Sequence, residues 1–470
     1  MTEPTTEAPP TPRTVRLGAG MAFWGDSVLP AIEMVERGHI DYLCCDHLAE
    51  LTMSILAKQR ATNPERGYTP DVVDLLRGAL PGCVEKGIKV VTNAGGANPR
   101  AAARAVQILC RELGLEDVRI AVVAGDDIER DIDELSDAGV SFRNLDTGAE
   151  LDTVRDRLTH AAVYTGCEGI VEALGRGADV VICGRVTDIA LYLGPLVHEF
   201  GWAADDWPRL GMATVVAHAI ECGGQATGGL YAGGWADIDG LETLGYPIAE
   251  VSEDATAVLT KTPGSGGAVT VGTVSEQLVY EILDPGSYLT ADVTADFTGV
   301  RLEEVGPDRV RITGGTGRPR PETLKVNMGY RAGFVGEAQF TYTWPDAYAK
   351  AQRGLAFLKA RLERAGFVHS AEHVEYVGHT SMWGSRVPEP DDPDLLEIVV
   401  RYAARCPDAT EARKVFTESV PLYNNGPAGV AGVGTRPPLK ELYAIWPCLI
   451  PREHVTQSVE MVEHDGGGVR

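Results

Sequence analysis

The chain has 470 residues, of which 44% are hydrophobic and 23% charged, and its formal net charge is −25. A single core stops growing at about 250–300 residues, so this length predicts two domains. The acidic balance argues against a nucleic-acid binder and against an anionic membrane surface, because both require clustered Lys and Arg.

The first thirteen residues are polar and rich in Thr, Pro and Glu, and we expect a disordered tail there. In residues 14–229, apolar strand-like runs alternate with helical patterns, which predicts an α/β domain with a doubly wound, mainly parallel sheet covered on both faces. The predicted strands are 15–17, 40–45, 89–93, 119–124 and 179–183, with a weaker one near Val140. The predicted helices include 29–37, 48–60, 72–85, 100–113 and 189–200.

After Gly229 the pattern changes, and residues 230–470 are predicted to form a second, α+β domain. Segments 293–302, 309–313 and 324–343 are extended in character, and the Gly-Pro-Asp sequence at 306–308 predicts a hairpin turn. Helices are expected near residues 347–365 and 393–404. The irregular order of strands and helices is the reason for predicting α+β.

The nine cysteines are an odd number, and several lie in apolar runs. No signal peptide is evident, and no run approaches the ~18 apolar residues of a membrane span. These features predict a cytoplasmic protein with free thiols. Cys44 and Cys45 stand near His47, but neighbouring strand residues face opposite sides of a sheet, so no metal site is predicted.

In a doubly wound sheet, ligands bind beyond the carboxyl ends of the strands. After the first predicted strand, Gly18 and Gly20 begin a glycine-rich segment, but Phe23 stands where the dinucleotide motif needs glycine, so a standard NAD site is not expected. Asp26 is a candidate ligand-binding residue here, and capping of the next helix by Asp26 or Ser27 is equally open.

The next two predicted strands end in polar or glycine-rich loops. Asp46 and Glu50 are candidate proton-transfer residues, although Asp46 also stands where a helix cap would. The loop after the third strand presents backbone N–H groups at a helix start and is a candidate anion site, with a plain tight turn as the alternative. Its candidate binding residues are Asn93, Gly95, Gly96 and Asn98.

Arg185 and Asp188 follow the most apolar strand and are candidate binding residues, because an Arg there is well placed to hold a carboxylate or phosphate. The alternative is that Thr187 or Asp188 caps the next helix. His218 and Glu221 are three residues apart at the end of a helical pattern, and Cys222 follows, so a Glu–His or Cys–His proton-transfer pair is open. A buried Cys and a satisfied His before a glycine helix stop is the alternative. Glu221 is the preferred candidate.

Lys261 and Ser265 lie in a glycine-rich loop that resembles a phosphate cradle in composition only, because it lacks the spacing of a nucleotide triphosphatase loop. We expect either a loop that closes over the site or a structureless surface turn.

Several blocks together resemble the acyclic terpene utilisation protein A (AtuA) family, and they cover nearly the whole chain after the tail. They are 18–27 with Phe-Trp-Gly-Asp-Ser, 41–56 with Asp-His-Leu-Ala-Glu-Leu-Thr-Met-Ser, 93–99, 183–202 with Cys-Gly-Arg-Val-Thr-Asp, 221–229 and 262–284. The resemblance implies a role in bacterial degradation of acyclic terpenes such as citronellol and geraniol, whose intermediates are branched acyl-CoAs. It carries no catalytic assignment.

The expectation is therefore an enzyme for a small anionic metabolite, a branched acyl-CoA or related carboxylate, with lyase, hydratase or hydrolase chemistry. No cofactor is expected apart from the CoA moiety of a substrate, and a homo-oligomer is expected only as a general prior. The alternative is a non-catalytic binding or scaffold subunit for partner enzymes of the same pathway. Polar clusters at several strand ends favour the enzyme, because a scaffold does not require them.

Overall fold

A computed structural model describes residues 13–388, 395–433 and 437–463. The chain divides into two compact units. Of the described residues, the first unit comprises 13–155, 159–329 and 445–463, and the second comprises 156–158, 330–388, 395–433 and 437–444.

The strands, in chain order, are β1 (Thr14–Met21), β2 (Tyr42–Cys45), β3 (Lys89–Thr92), β4 (Ile120–Ala124), β5 (Leu158–Val163), β6 (Val180–Cys183), β7 (Pro247–Ser252), β8 (Ala257–Lys261), β9 (Tyr288–Leu289), β10 (Thr294–Asp296), β11 (Arg301–Gly306), β12 (Arg309–Thr313), β13 (Thr316–Arg318), β14 (Thr323–Thr343), β15 (Ala371–Val377), β16 (Glu397–Cys406), β17 (Val430–Ala431), β18 (Lys440–Pro451) and β19 (Ser458–Met461).

The α-helices are α1 (Leu29–Arg37), α2 (Glu50–Thr62), α3 (Asp71–Lys86), α4 (Pro99–Leu113), α5 (Ile132–Asp137), α6 (Glu168–Gly175), α7 (Ala190–Phe200), α8 (Trp207–Glu221), α9 (Val271–Val279), α10 (Ala347–Arg364), α11 (Ala409–Ser419) and α12 (Leu422–Asn425).

The first unit is built on a ten-stranded sheet with the order β11-β12-β8-β7-β1-β2-β3-β6-β4-β19. Strands β1, β2, β3, β6 and β4 run parallel to one another, and antiparallel strands extend the sheet at both edges. The predicted α/β class is confirmed, with a mixed sheet. Because β7, β8, β11 and β12 join this same sheet, it continues well beyond residue 229, where the sequence placed the domain boundary.

Alternate residues of the parallel strands supply two cores on opposite faces of the sheet. Cys44 packs on the face that α6, α7 and α8 cover, while its neighbour Cys45 packs on the face that α1, α3 and α4 cover. Continuously apolar strands are what a sheet buried on both faces requires. Helix α8 is buried from Leu210 to Glu221, because it also contacts β10 and β13 of a three-stranded sheet.

The second unit contains a sheet with the order β15-β16-β14-β17, against which α10 and α11 pack. The helix expected at 347–365 and the two-residue hairpin turn between β11 and β12 are confirmed. The helix expected at 393–404 is wrong. Residues 389–394 lie outside the described part, and the strand β16 begins at Glu397 with every second residue buried, a period that belongs to strands.

The strand expected near Val140 is also wrong, because that residue follows the short helix α5 without joining a sheet. Strand β5 was not among the strands predicted from the sequence, and it pairs with β14.

Candidate functional site

A cavity of about 550 Å³ lies in the first unit, beyond the carboxyl ends of β1, β2 and β6. The end of α8 and the segments around residues 229–230, 244–246 and 280–281 complete its wall. This is the place at which an open α/β sheet binds ligands. The charged residues that line it are Asp26, Asp46, Glu50, Arg185, Asp188, Glu221 and Glu281. Arg185 is the single Lys or Arg among the described residues of the wall.

Arg185 is 2% exposed, and its two terminal guanidinium nitrogens have hydrogen-bond acceptors, whereas its Nε is buried without one. Its guanidinium donates to the Leu48 carbonyl at 3.0 Å and to Asp188 Oδ1 at 3.0 Å, and it stacks 4.0 Å from the centroid of the Tyr164 ring. Its backbone N–H donates to Asp126 Oδ2 at 2.8 Å. Burial lowers the pKa of this guanidinium, but the neighbouring Tyr164, Asp188 and Asp46 outweigh burial and raise it. The group is therefore a fixed cation.

Asp46 is 5% exposed and holds a proton more readily than an ordinary Asp. Burial raises the pKa of its carboxyl well above the usual value, and the charge of Asp188 raises it further. Its Oδ1 accepts from Asn93 Nδ2 at 2.6 Å and from the Leu48 N–H at 3.0 Å. Ala49, not Asp46, is the N-cap residue of α2, so the capping interpretation of Asp46 does not hold.

Glu221 and His218 form a buried pair on α8. Glu221 Oε1 lies 2.7 Å from His218 Nδ1, and Glu221 Oε2 is buried without a hydrogen-bond partner. Burial raises the pKa of Glu221 even though His218 opposes the change. The pKa of His218 is also raised, because Glu221 overcomes the effect of burial. The two groups therefore act as one proton-holding unit in the cavity wall.

Glu50 differs from Asp46 and Glu221 in that its pKa is lowered, so this carboxylate stays ionised. Burial raises its pKa, but the backbone N–H of Glu50 and the cations Arg185 and Lys325 lower it more. The Tyr164 hydroxyl donates to Glu50 Oε1 at 2.9 Å, and Lys325 Nζ lies 3.5 Å from the same oxygen. The cavity thus combines carboxyl groups whose pKa values are driven apart, which is the pattern of acid–base sites.

The structure brings half of the sequence candidates together in the cavity wall. Asp46, Glu50 and Glu221, Arg185 with Asp188, and Asp26 all line the cavity. Asp26 accepts a hydrogen bond of 2.6 Å from the Tyr246 hydroxyl. Asn93 lies just behind the wall, where its amide nitrogen donates to Asp46 Oδ1 and its amide oxygen accepts from the backbone N–H of His47.

Gly95, Gly96 and Asn98 do not line the cavity. A Cβ on Gly95 would lie 2.4 Å from the Cys183 carbonyl oxygen, so the glycine is explained by close packing. Gly96 has a positive φ of 49°, and Asn98 caps α4 while its amide donates to the Pro64 and Arg66 carbonyls. The tight-turn alternative describes this loop.

Lys261 and Ser265 are also away from the cavity. Lys261 Nζ donates to the Ser265 carbonyl at 2.8 Å, and the Ser265 hydroxyl donates to the Thr262 carbonyl. Both groups close their own loop rather than face the cavity.

Sequence reasoning missed Tyr164, Lys325 and Tyr246, which orient the charged groups of the wall. Tyr164 follows β5, a strand that the sequence did not predict, and Lys325 lies within the long strand β14. Neither residue therefore lies in a recognisable sequence motif. A search for polar residues at strand ends finds Asp46 and Arg185 but not residues that arrive from distant parts of the chain.

Among the residues that the structure describes, no group of three or more His, Cys, Asp or Glu side chains is arranged to hold a metal ion. Within the same residues, no helix combines the length and the apolarity needed to cross a membrane. All nine cysteines are free thiols, and Cys222 is the one that is not fully buried.

The family model described as "Acyclic terpene utilisation family protein AtuA" matches residues 15–461 of this chain. No curated protein and no solved structure gives a significant match.

Proposed function

Since the chain belongs to the acyclic terpene utilisation family AtuA, we propose that it is an enzyme of this metabolism. Its substrate would be a branched acyl-CoA or a related carboxylate, and its reaction a proton-transfer-dependent lyase, hydratase or hydrolase step. The observation that carries the proposal is the placement of two buried carboxyl groups, Asp46 and Glu221, around the fixed cation Arg185 in one cavity.

Each group has a distinct chemical role in this proposal. Arg185 binds the thioester or carboxylate oxygen and stabilises the negative charge that develops there. Asp46, whose raised pKa keeps a proton available, serves as the general acid. Glu221 accepts a proton, and His218 behind it stabilises the pair in either state.

The charge of the cavity limits which part of a CoA ester can enter. Six carboxyl groups and one Arg form the charged part of the wall, and this balance repels phosphates. The proposal therefore places the acyl end in the cavity and the phosphate-bearing end outside it. No cofactor beyond the CoA of the substrate takes part.

Binding is tested first by thermal shift with CoA, straight and branched acyl-CoAs and the matching free acids. A ligand at 100 times its Kd adds about 2.7 kcal/mol of stability. Arg185→Gln should remove the shift. Arg209→Gln is the matched control, because Arg209 also pairs with an Asp three residues away but is 45% exposed.

Catalysis is tested by mass spectrometry of acyl-CoA mixtures incubated with the protein. Asp46→Asn and Glu221→Gln should retain the thermal shift and lose turnover, since each keeps its shape but cannot exchange the proton. Turnover that survives in both variants would contradict the assigned roles. Binding without turnover in the natural protein would favour the non-catalytic binding subunit.

A further inference from the structure

The opening of the cavity differs in chemistry from its interior. The buried charged groups of the wall are Asp46, Arg185 and Glu221. Three large side chains with apolar surface, Phe23, Leu230 and Tyr280, line the same cavity and are 53%, 86% and 42% exposed. A side chain that both lines a cavity and is exposed to solvent stands at the cavity's opening. We call these three residues the apolar rim.

Leu230 has a backbone conformation that leucine rarely adopts. Its φ is 59°, in the left-handed region that glycine adopts freely and that a Cβ disfavours. Glycines stand on both sides of it, at 228–229 and 233–234. Since its side chain is exposed, packing in the core does not account for a leucine at this position. Residues held in such conformations cluster at functional sites, and the surface that this side chain lines is the cavity.

The segment that carries Leu230 is fixed by hydrogen bonds before and after it. The residue before Leu230 donates its N–H to the Gly224 carbonyl at 2.8 Å. The second and third residues after it donate their N–H groups to the Glu276 carboxylate at 2.8 and 2.9 Å. Glu276 belongs to α9, the helix that ends directly before Tyr280. The same helix therefore positions two of the three rim residues.

We propose that the apolar rim is the binding surface for the hydrocarbon chain of the substrate, whose polar head lies at Arg185. The rim continues the wall that contains Arg185, so a ligand that fills the cavity meets a cation at one end and apolar side chains at the other. Glu281 at the same opening is a carboxylate, which favours an uncharged chain there over a phosphate. The inference rests on the proposed function and deepens it, because it names the side chains that select the acyl group.

Contact with the rim should make affinity depend on chain length. Each methylene that the rim removes from water should lower the Kd by about fourfold. Octanoate should therefore bind the natural protein more tightly than acetate. Arg185 binds the carboxylate that the two acids share, so it contributes equally to both.

The test measures the Kd values of acetate and octanoate by ligand-observed NMR. Leu230→Asn suits the left-handed backbone, but its amide does not replace the apolar contact. This variant should weaken octanoate binding by about fourfold or more and leave acetate binding unchanged. Leu230→Met, which stays apolar, should keep the preference for octanoate.

His39→Asn is the matched control. His39 is also exposed and has a positive φ of 51°, but it does not line the cavity. The same replacement there should change neither Kd. Thermal unfolding of each variant checks that it is folded.

Equal affinity for the two acids in the natural protein, or an equal effect of Leu230→Asn on both, would overturn the inference. Sedimentation velocity of the natural protein and Leu230→Asn tests whether a second copy of the chain covers the rim instead. An association state that Leu230→Asn changes would also count against the inference. The proposed function fails separately, if octanoate is preferred as expected but no acyl-CoA is turned over.

Discussion

Replacing Arg185 by alanine should destabilise the first unit strongly. The guanidinium donates to the Leu48 carbonyl, an interaction with a charged group worth about 1.5–3 kcal/mol, and its stacking on Tyr164 adds up to about 2 kcal/mol when desolvated. The pair with Asp188 adds less than about 1 kcal/mol, because that carboxylate is 38% exposed.

The net contribution of Arg185 to the free energy of unfolding is smaller than the sum of these three interactions, because the buried guanidinium has lost its hydrogen bonds to water. Removing one partner of a buried ion pair costs about 3–5 kcal/mol in general, and the exposure of Asp188 points to the lower end, about 3 kcal/mol. The loss should be smaller at pH 4 than at pH 7. As the pH falls, more of the carboxyls around Arg185 become protonated, and a protonated carboxyl needs no cation.

The measurement is urea unfolding followed by circular dichroism at both pH values. Arg209→Ala serves as the control, since its exposed pair with Asp206 should be worth less than about 1 kcal/mol. If Arg185→Ala lost no more stability than Arg209→Ala, or lost more at pH 4 than at pH 7, the electrostatic account of the cavity would be refuted.

Three further predictions concern buried residues. Burial raises the pKa of Asp126 to about 7, so the contribution of this residue to stability should fall by up to about 4 kcal/mol as pH rises from about 4 towards 7, and the stability difference between Asp126→Asn and the natural protein should change by that amount over this range. Burial lowers the pKa of His160 to about 4, so its contribution has the opposite sign: it is present above pH 6.5 and is lost, by roughly 3 kcal/mol, as pH falls towards 4, which the difference between His160→Asn and the natural protein should show in the same titration. Gly95→Ala should cost about 2 kcal/mol in urea unfolding because its Cβ would meet the Cys183 carbonyl, whereas Gly175→Ala, with open space around it, should cost little; equal effects would contradict the packing explanation.

The secondary structure of the parallel sheet could be predicted from the sequence because its cause is local. Each strand from β2 to β6 in the sheet is a short apolar run, and the flanking helices repeat with helical period, so both signals are contained in about a dozen residues. Strand β16 shows the limit. Its alternation from Ile398 to Cys406 is visible in the chain, yet the sequence analysis predicts a helix near residues 393–404.

Asp46, Glu50, Arg185 and Glu221 were found from the sequence because they follow strands or end a helix, and such positions tend to face ligands. The same rule selected Gly95, Asn98, Lys261 and Ser265, which do not line the cavity. A glycine-rich loop that binds an anion and one that only turns the chain have the same local sequence pattern. Only the neighbouring chain decides between them, as the Cys183 carbonyl does at Gly95.

The tertiary structure alone decided which strand ends meet. Strand β6 lies between β3 and β4 instead of after them, and this order sets Arg185 beside Asp46, about 140 residues earlier in the chain. Lys325 and Glu221 reach the same region from still later segments. The pKa shifts of Asp46, Glu50 and Glu221 follow from burial and from charges that become neighbours only on folding. A sequence pattern records what each residue prefers within a few turns of chain, whereas the site depends on contacts between distant segments.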